Sequence, residues 1–364
     1  MRRALLARFA LSASVALVVG CESSRPLEPT AGPDLARKPE AAPGFATLST
    51  LPSLGRGGNG AEAYAVQQSG GIIAGYSWQS DGRMIPVKWS LQNGAWTISS
   101  LPYSSTATSA RAKGVNDQGD VAGNDFPASA PHAVLWPSSG GFEVLGCNNE
   151  LGEATGISAG GRTLAGVVQG SPVMAAVWEP GQCRVNLPPL VAGGSARADA
   201  VNGNGSIVGG SANAGSYQVP VRWARVGGAW TITALDSRQG AVRGGNSAGD
   251  LVGYVKVPCA LPEGCSLGMV WYAAGGTRAL PTLGGSHTTP VGINSSGEVV
   301  GLSSLASGEG TAFFWSETMG MRQLPITGGA WAFAVSGVRA DGTRLVVGAG
   351  GTRFGAVVWV VRNP

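Results

Sequence analysis

The chain has 364 residues, of which 43% are hydrophobic, only 13% are charged and 59 are glycine. The glycines lack the strict every-third spacing of collagen, and the apolar residues between them suffice for a packed core, which excludes a fibrous or mostly disordered chain. Residues 44–364 carry 19 basic and 17 acidic side chains. This near balance argues against a nucleic-acid-binding protein, which concentrates basic residues on one face.

Residues 1–21 have the pattern of an export signal that ends at a lipidated cysteine. A basic start precedes the apolar run 10–20, which is too short to span a bilayer, and Cys21 follows directly. The letters VVGC at 18–21 resemble the lipoprotein box of bacterial lipoproteins; an ordinary secretory signal that contains a cysteine is the alternative. The resemblance implies that Cys21 is lipidated. Glu22, in place of a retaining Asp, favours the outer membrane or the cell surface.

The segment 22–43 contains five prolines and no apolar periodicity, which is typical of a flexible tether. Such a tether would hold a single domain, residues 44–364, away from the membrane surface. We therefore expect an exported protein that meets the membrane only through its lipid anchor. We also expect it to be a monomer.

Four cysteines remain after Cys21, an even number that suits an oxidising compartment. Cys259 and Cys265 lie six residues apart in one loop, and we expect them to pair, which leaves Cys147 and Cys183 for a second disulfide. No C-x-x-C motif occurs, and the chain has two histidines. We therefore expect no structural zinc, no other metal and no cofactor.

Residues 62–361 consist of seven repeats with a common pattern. Each contains, with substitutions, A-x-A-V-N-x-x-G-x-(V/I)-(V/A)-G, a variable loop, (A/P)-V-x-W and finally W-x-I-x-x-L-P. The recurring glycines are Gly75, Gly123, Gly166, Gly209, Gly253, Gly301 and Gly348. The recurring tryptophans are Trp89, Trp136, Trp178, Trp223, Trp271, Trp315 and Trp359.

Each repeat predicts four short β-strands. Turns such as Asn204-Gly205 and Asp341-Gly342 follow the first strand, and their glycines supply the positive φ that hairpins need. No window has a sustained 3.6-residue apolar period, so helices should be nearly absent. Seven units of four strands, each of five or six residues, favour an all-β fold, a seven-bladed β-propeller. A pair of β-sandwiches is the alternative.

The last repeat, residues 331–364, has three strands and lacks the W-x-I-x-x-L-P strand. Residues 46–52, ATLSTLP, match that missing strand although they precede the first repeat. We expect them to pair with the C-terminal strand as the fourth strand of the last blade. This pairing would close the ring and remove the open edges of a linear array.

The pattern GxNxxGxVVG followed by HAFxW resembles the HAF-repeat family of extracellular bacterial proteins. The similarity covers residues 62–361, although only PHAVLW at 131–136 keeps the histidine of the family's name. The resemblance implies an exported repeat protein with β-propeller-like repeats. The resemblance does not imply any particular enzymatic reaction.

In a propeller, the loops before each first strand and those between the second and third strands share one face, and ligands commonly bind there. Aromatic side chains beside charged ones on such loops can bind a sugar or a peptide. The alternative is a set of unrelated loop residues. The candidate ligand-binding residues are Trp78, Arg83, Arg111, His132, Arg197, Tyr217, His287 and Trp331.

One position of the first strands carries charges of alternating sign over repeats one to four. These residues are Glu62, Arg111, Glu153 and Arg197. Two residues further on stand Tyr64, Lys113, Thr155, Asp199 and, in the fifth repeat, Arg243. If the first strands line a central channel, these groups surround its mouth. They form either salt bridges between neighbouring blades or a polar mouth for a small charged ligand.

We expect an exported, membrane-anchored binding scaffold for a protein or glycan of the cell envelope. The alternative is an extracellular lyase or hydrolase that acts on polysaccharide in the central channel. An enzyme of that kind would gain support if His132 and His287 met in one cavity with a carboxylate. No H-E-x-x-H motif is present to indicate metal-dependent catalysis.

Overall fold

The fold is built from strands, turns and loops. The computed structural model describes residues 44–55, 60–127, 131–147, 150–262, 264–326, 328–351 and 355–362. These ranges contain no helix, which confirms the expected all-β class, and so none that is long and apolar enough to cross a membrane. The predicted signal, Cys21 and the tether 22–43 lie outside the described residues.

The described residues contain 28 strands. Those in the first half of the chain are β1 (Ala46–Thr50), β2 (Ala61–Val66), β3 (Ile72–Trp78), β4 (Met84–Gln92), β5 (Ala95–Ser100), β6 (Ala107–Val115), β7 (Val121–Pro127), β8 (His132–Trp136), β9 (Glu143–Val144), β10 (Glu153–Ile157), β11 (Leu164–Val168), β12 (Met174–Trp178), β13 (Val185–Asn186) and β14 (Ala196–Val201). Those in the second half are β15 (Ile207–Asn213), β16 (Gln218–Val226), β17 (Ala229–Ala234), β18 (Gly240–Gly245), β19 (Leu251–Val257), β20 (Cys265–Trp271), β21 (Thr277–Ala279), β22 (Gly284–Ile293), β23 (Val299–Leu305), β24 (Gly310–Ser316), β25 (Gly320–Gln323), β26 (Ala330–Val335), β27 (Arg344–Gly350) and β28 (Gly355–Val361).

Consecutive strands pair antiparallel within four-stranded units. Four sheets have the orders β2-β3-β4-β5, β6-β7-β8-β9, β10-β11-β12-β13 and β14-β15-β16-β17. A fifth has the order β26-β27-β28-β1, with Ala46 of β1 opposite Val361 of β28. Strands β18–β21 and β22–β25 form one eight-stranded sheet, because a single parallel pair, Ser266 and His287, joins β20 to β22.

The fourth strands vary in length, contrary to the expectation of five or six residues throughout. Strands β5 and β17, which carry the W-x-I sequence, have six residues each, whereas β9 and β13 have two and β21 has three. The short strands read EV, VN and TRA. Without the alternating Trp and Ile they offer less apolar surface to the third strand, and pairing ends sooner.

Every first strand contains a β-bulge opposite a glycine of the second strand. In β2 the pairing shifts between Ala63 and Ala65, so Tyr64 is an extra residue without a partner in β3. A Cβ on Gly75 would clash with the carbonyl oxygen of Glu62, which explains the glycine. The same shift occurs in β6, β10, β14, β18, β22 and β26.

In the fourth repeat the glycine at this position is Gly210, and the sequence alignment on Gly209 is wrong by one residue. Gly210 lies opposite Ala198 beside the bulge, and a Cβ there would clash with the carbonyl oxygen of Arg197. A Cβ on Gly209 would instead meet the side chain of Val242 in the following sheet. Because Gly209 and Gly210 are adjacent, the sequence alone could not show which of the two matches the recurring glycine. The other six recurring glycines occupy the expected position.

The seven recurring tryptophans are buried, each with 3% or less of its surface exposed. Four of their indole N–H groups donate to a proline carbonyl oxygen at the end of the fourth strand of the preceding sheet. These pairs are Trp89 and Pro52, Trp136 and Pro102, Trp223 and Pro188, and Trp359 and Pro325. The indole nitrogens of Trp178 and Trp271 have no partner, and there the preceding L-P is replaced by Leu145-Gly146 and Leu235-Asp236.

Hydrogen bonds connect the turns between first and second strands of neighbouring sheets. Backbone bonds run from Asp117 N to Ala159 O, Gly160 N to Gly203 O, Gly203 N to Ser247 O and Gly337 N to Gln68 O. Side-chain amides add bonds from Gln67 to Asp117 O, Asn116 to Gly161 O, Asn246 to Asn294 O and Asn294 to Ser336 O. Each turn is therefore held by the turn of the next sheet as well as by its own strands.

Two disulfides occur among the described residues. Cys147–Cys183 joins the segment after β9 to the segment before β13, and Cys259–Cys265 closes the loop between β19 and β20. They are the two pairs that the sequence favours. Each restricts the unfolded chain and thereby stabilises the folded one.

Replacing Trp223 by Phe should destabilise the domain by about 1–2 kcal/mol more than replacing Trp178 by Phe. Both substitutions remove the same atoms from a fully buried site, but only Trp223→Phe also removes a hydrogen bond, the one to Pro188. Urea unfolding followed by circular dichroism measures both free energies of unfolding. Equal losses would contradict a stabilising role for the indole–proline bonds.

Candidate functional site

The extra residues of the seven bulges line one cavity of about 260 Å³. These channel residues are Tyr64, Lys113, Thr155, Asp199, Arg243, Val291 and Phe333. The rim residues, two positions earlier in the same strands, are Glu62, Arg111, Glu153, Arg197, Ala241, Thr289 and Trp331. The first strands thus surround a common channel, and the bulge is what turns one more side chain of each strand inward.

An unbroken row of five aromatic side chains passes along one side of the channel, and two of them, Tyr64 and Phe333, line the cavity. Trp331 stacks on Phe333 with ring centroids 6.4 Å apart, and Phe333 stacks on Tyr64 at 4.7 Å. Tyr64 stacks on Tyr76 at 5.7 Å, and Tyr76 meets Trp78 edge to face at 4.8 Å. This aromatic row connects strands β26, β2 and β3. It ends at Trp331, which is 43% exposed.

Two cations of strand β6 lie against the aromatic row. The Nζ atom of Lys113 is 3.3 Å from the ring centroid of Tyr64, and the guanidinium carbon of Arg111 is 5.8 Å from that of Tyr76. Arg111 also donates from Nε to the sulfur of Met84 at 3.1 Å. Within the described residues, neither cation has a carboxylate oxygen within 4.0 Å. Their contacts are therefore with ring faces and a thioether.

The channel environment shifts the pKa of its titratable groups. Burial, and after it the neighbouring charge of Arg111, lowers the pKa of the Lys113 ammonium from 10.5 to about 8. Burial raises the pKa of the Tyr64 phenol, and its hydrogen bond to Glu62 raises it further. Burial and the charges of Tyr64 and Glu62 raise the pKa of Tyr76 as well. Both phenols stay protonated, so Lys113 is the group of this wall that changes charge near neutral pH.

The opposite wall consists of polar groups that contact one another, although Oδ2 of Asp199 is buried and accepts no hydrogen bond from a described residue. Asp199 accepts a charged hydrogen bond from Arg197 at 2.7 Å, and a nitrogen of Arg243 lies 3.6 Å from its other oxygen. The hydroxyl of Thr155 lies 2.9 Å from each of two backbone carbonyl oxygens. Glu153 accepts from the side chain of Gln169 at 3.2 Å. Glu153 and Asp199 thus each accept at least one hydrogen bond within the protein.

The expected salt bridges between alternating rim charges are not formed. Arg197 pairs with Asp199, which lies two residues further along the same strand and therefore on the same face. Glu62 accepts from the hydroxyl of Tyr64 at 2.7 Å instead of pairing with Arg111. One ion pair does join two first strands, Asp199 with Arg243. Of the two interpretations, a polar mouth agrees better with this arrangement.

The other predicted residues lie outside the channel. Arg83 pairs with Asp81 at 2.6 Å in an exposed turn. Tyr217 lines a separate cavity of about 300 Å³, which Arg243 also borders. Of the eight candidates, the structure brings Trp78, Arg111, Arg197 and Trp331 together on the rim and the aromatic row.

The two histidines do not meet. His132 lies in a cavity of about 490 Å³ with Asp125, whose carboxyl pKa is raised by burial, and the described lining of that cavity does not include His287. The ring of His287 accepts a hydrogen bond from the backbone N–H of Ser266 at 3.1 Å. It therefore connects strands β20 and β22. A polysaccharide-acting enzyme would have gained support if both histidines met in one cavity with a carboxylate, and they do not.

Tyr76 and Phe333 were not singled out from the sequence. Phe333 occupies the same repeat position as Tyr64, so aligning the seven bulge positions would have found it. Tyr76 belongs to a second strand and reaches the row because it lies opposite Glu62. Among the described residues, no group of three or more His, Cys, Asp or Glu side chains could hold a metal ion.

No family model and no curated protein matches the chain. Among solved structures, a prolyl endopeptidase matches with a TM-score of 0.52 and 12% identity over 84% of this chain and 51% of that one. An ancestral GH74 enzyme matches with a TM-score of 0.52 and 13% identity over 88% and 52%. The chain thus spans about half the length of each of these proteins.

A further structure, the β-propeller domain of the Trilobed protease from Pyrococcus furiosus, is similar over 87% of this chain and 93% of its own. Its TM-score is 0.51 and its identity 10%. Similarities at this level of identity concern the fold alone. Together with the repeated four-stranded antiparallel sheets, they show that this chain has the β-propeller fold.

Proposed function

We propose that the chain is an exported, membrane-tethered propeller that binds a protein or glycan of the cell envelope at its channel and rim. The observation that carries this proposal is the aromatic row, which begins at the exposed Trp331 and continues into the channel beside two cations without carboxylate partners. Large apolar ring faces beside charged groups are what binding sites commonly present. The separation of His132 from His287 favours binding over the enzyme alternative.

We further propose that the propeller has seven blades and is closed by strand β1. Three contacts support closure. Strand β1 pairs with β28, the indole of Trp89 donates to Pro52 beyond β1, and Gly337 of the last repeat donates to Gln68 of the first. The first repeats the pairing of third and fourth strands within the other sheets, and the other two are of the kind that joins neighbouring sheets elsewhere. The 28 strands agree with seven blades of four.

Export and anchoring rest on the sequence of residues 1–43. We propose that the signal ends at a lipidated Cys21, that 22–43 is the tether, and that the protein belongs to the HAF-repeat family at the outer membrane or cell surface. The two disulfides agree with an oxidising compartment. A monomer is proposed because closure would use the edges through which sheets otherwise associate.

Deleting residues 44–54 should lower the free energy of unfolding by about 5 kcal/mol or more. The deletion removes strand β1, the buried side chains of Phe45 and Leu51, and the carbonyl group that accepts from Trp89. Thermal and urea unfolding, followed by circular dichroism, measure the change. A deletion of equal length in the tether, residues 27–37, is the control and should leave stability unchanged. Unchanged stability in the 44–54 deletion would contradict closure.

Replacing Trp331 by Ala should weaken binding by about tenfold or more for any ligand held at the rim. The full chain, purified in mild detergent, is screened against envelope glycans and envelope proteins, and each hit is titrated with wild type and variant. Tyr217→Ala is the matched control, because both side chains are 43% exposed and Tyr217 lines a different cavity. Hits that bind Trp331→Ala as well as wild type would contradict binding at the rim.

A further inference from the structure

Lys113 and Arg111 differ from the other cations of the channel and rim. Arg197 and Arg243 both lie against Asp199, whereas Lys113 and Arg111 have no carboxylate within 4.0 Å among the described residues. Lys113 donates no hydrogen bond to a described residue, and it lines the cavity. An ammonium group that has lost water without gaining a counter-ion is unfavourable, and an anion in the cavity would relieve that cost.

The acidic groups nearest to Lys113 are engaged elsewhere. The carboxylate of Glu62 accepts from Tyr64, and that of Glu153 accepts from Gln169. Of the charges that act on Lys113, the largest contribution comes from the positive charge of Arg111. The wall formed by β6 is therefore the place in the channel where a negative group of a ligand gains most.

The shape of the site indicates what carries the negative group. Phe333 stacks on one face of Tyr64 and Lys113 lies over the ring as well, so the two occupy opposite faces and Tyr64 is not free to stack on a ligand. Trp331, at the end of the row, does keep an exposed surface. A pyranose ring presents an apolar C–H face that packs on an indole, and its hydroxyls suit the hydrogen-bonding groups around Thr155 and Asp199.

The size of the channel favours a small occupant. A cavity of about 260 Å³ is at the lower end of ligand sites and holds a monosaccharide rather than a folded segment of protein. Trp331 is separated from Lys113 by Phe333 and Tyr64, through centroid distances of 6.4 and 4.7 Å. A short oligosaccharide covers such a distance, with one residue against the indole and the next in the channel.

We propose that the channel binds an acidic oligosaccharide, whose uronic acid carboxylate contacts Lys113 and Arg111 while a neighbouring sugar packs on Trp331. This inference rests on the proposed binding function and adds the chemical class of the ligand. The guanidinium of Arg111 can hold a carboxylate with two parallel hydrogen bonds, and the ammonium of Lys113 adds a point charge.

The test is a calorimetric titration of the full chain in detergent with trigalacturonate at pH 7 and low ionic strength. The fully methyl-esterified trisaccharide has the same backbone without charge and should bind at least about tenfold more weakly. Lys113→Met and Arg111→Met should each weaken binding of the acid by about tenfold. Arg83→Gln removes a cation that is paired with Asp81 outside the channel and should bind like wild type.

Affinity for trigalacturonate should also depend on pH in the wild-type chain. This test does not depend on whether a variant folds. Protonated Lys113 strengthens binding of the anion, and its pKa is about 8, so affinity should be level from pH 6 to 7. Above the pKa it should fall by about tenfold in all and level off near the affinity of Lys113→Met. The charged groups that act on Lys113 are Glu62, Arg111, Glu153 and Arg197. Lys113→Met should remove the fall.

Three results would overturn the inference. They are equal binding of the acid and its ester, unchanged affinity in both β6 variants, and no binding of trigalacturonate. A short oligoglutamate peptide is titrated in parallel, and binding of the peptide without the sugar would replace the acidic glycan by an acidic protein segment. If trigalacturonate fails while the envelope screen yields Trp331-dependent ligands, the binding function stands and only the ligand class is wrong.

Discussion

The bulge in each first strand, held open by a glycine opposite it, is the constraint on which the channel depends. Regular alternation would send every second side chain of a first strand inward, whereas the bulge inserts one more residue and turns it toward the channel. The extra residue brings a carbonyl oxygen close to the second strand, and only glycine leaves room for it. The recurring glycine is therefore needed both for the fold and for the shape of the channel.

Contacts between neighbouring sheets hold these seven positions around one cavity. Indole–proline bonds connect the outer strand of one sheet with the third strand of the next, and the turn-to-turn bonds do the same near the end of the first strands. Where the proline is replaced, at Gly146 and Asp236, the indole has no partner although the tryptophan stays buried. Packing of the ring thus places the strand, and the hydrogen bond adds stability where the sequence provides an acceptor.

The all-β class and the strand order within each repeat could be predicted because they depend on local patterns: a period, hairpin glycines and a recurring tryptophan. The site could be predicted only in part. Arg111 was predicted at the channel mouth and Trp331 as a ligand-binding residue on the loops. The aromatic row, however, joins side chains from β26, β2 and β3, and no spacing in one repeat reveals that Phe333 stacks on Tyr64. The alternating signs of the rim charges left two interpretations open, and the alternation alone could not show that Asp199 pairs with Arg197 of its own strand.

The same architecture explains why fold similarity says so little about the ligand. The glycine, the alanines and the tryptophan of each repeat satisfy packing, and they leave the bulge residue without a structural requirement beyond fitting the channel. Here those seven positions carry Tyr, Lys, Thr, Asp, Arg, Val and Phe, so two walls of different chemistry arise from identical backbone geometry. One wall, around Asp199, is internally paired. The wall of β2 and β6 is not, because Lys113 and Arg111 have no carboxylate partner there among the described residues. A negatively charged group of a ligand could supply that partner.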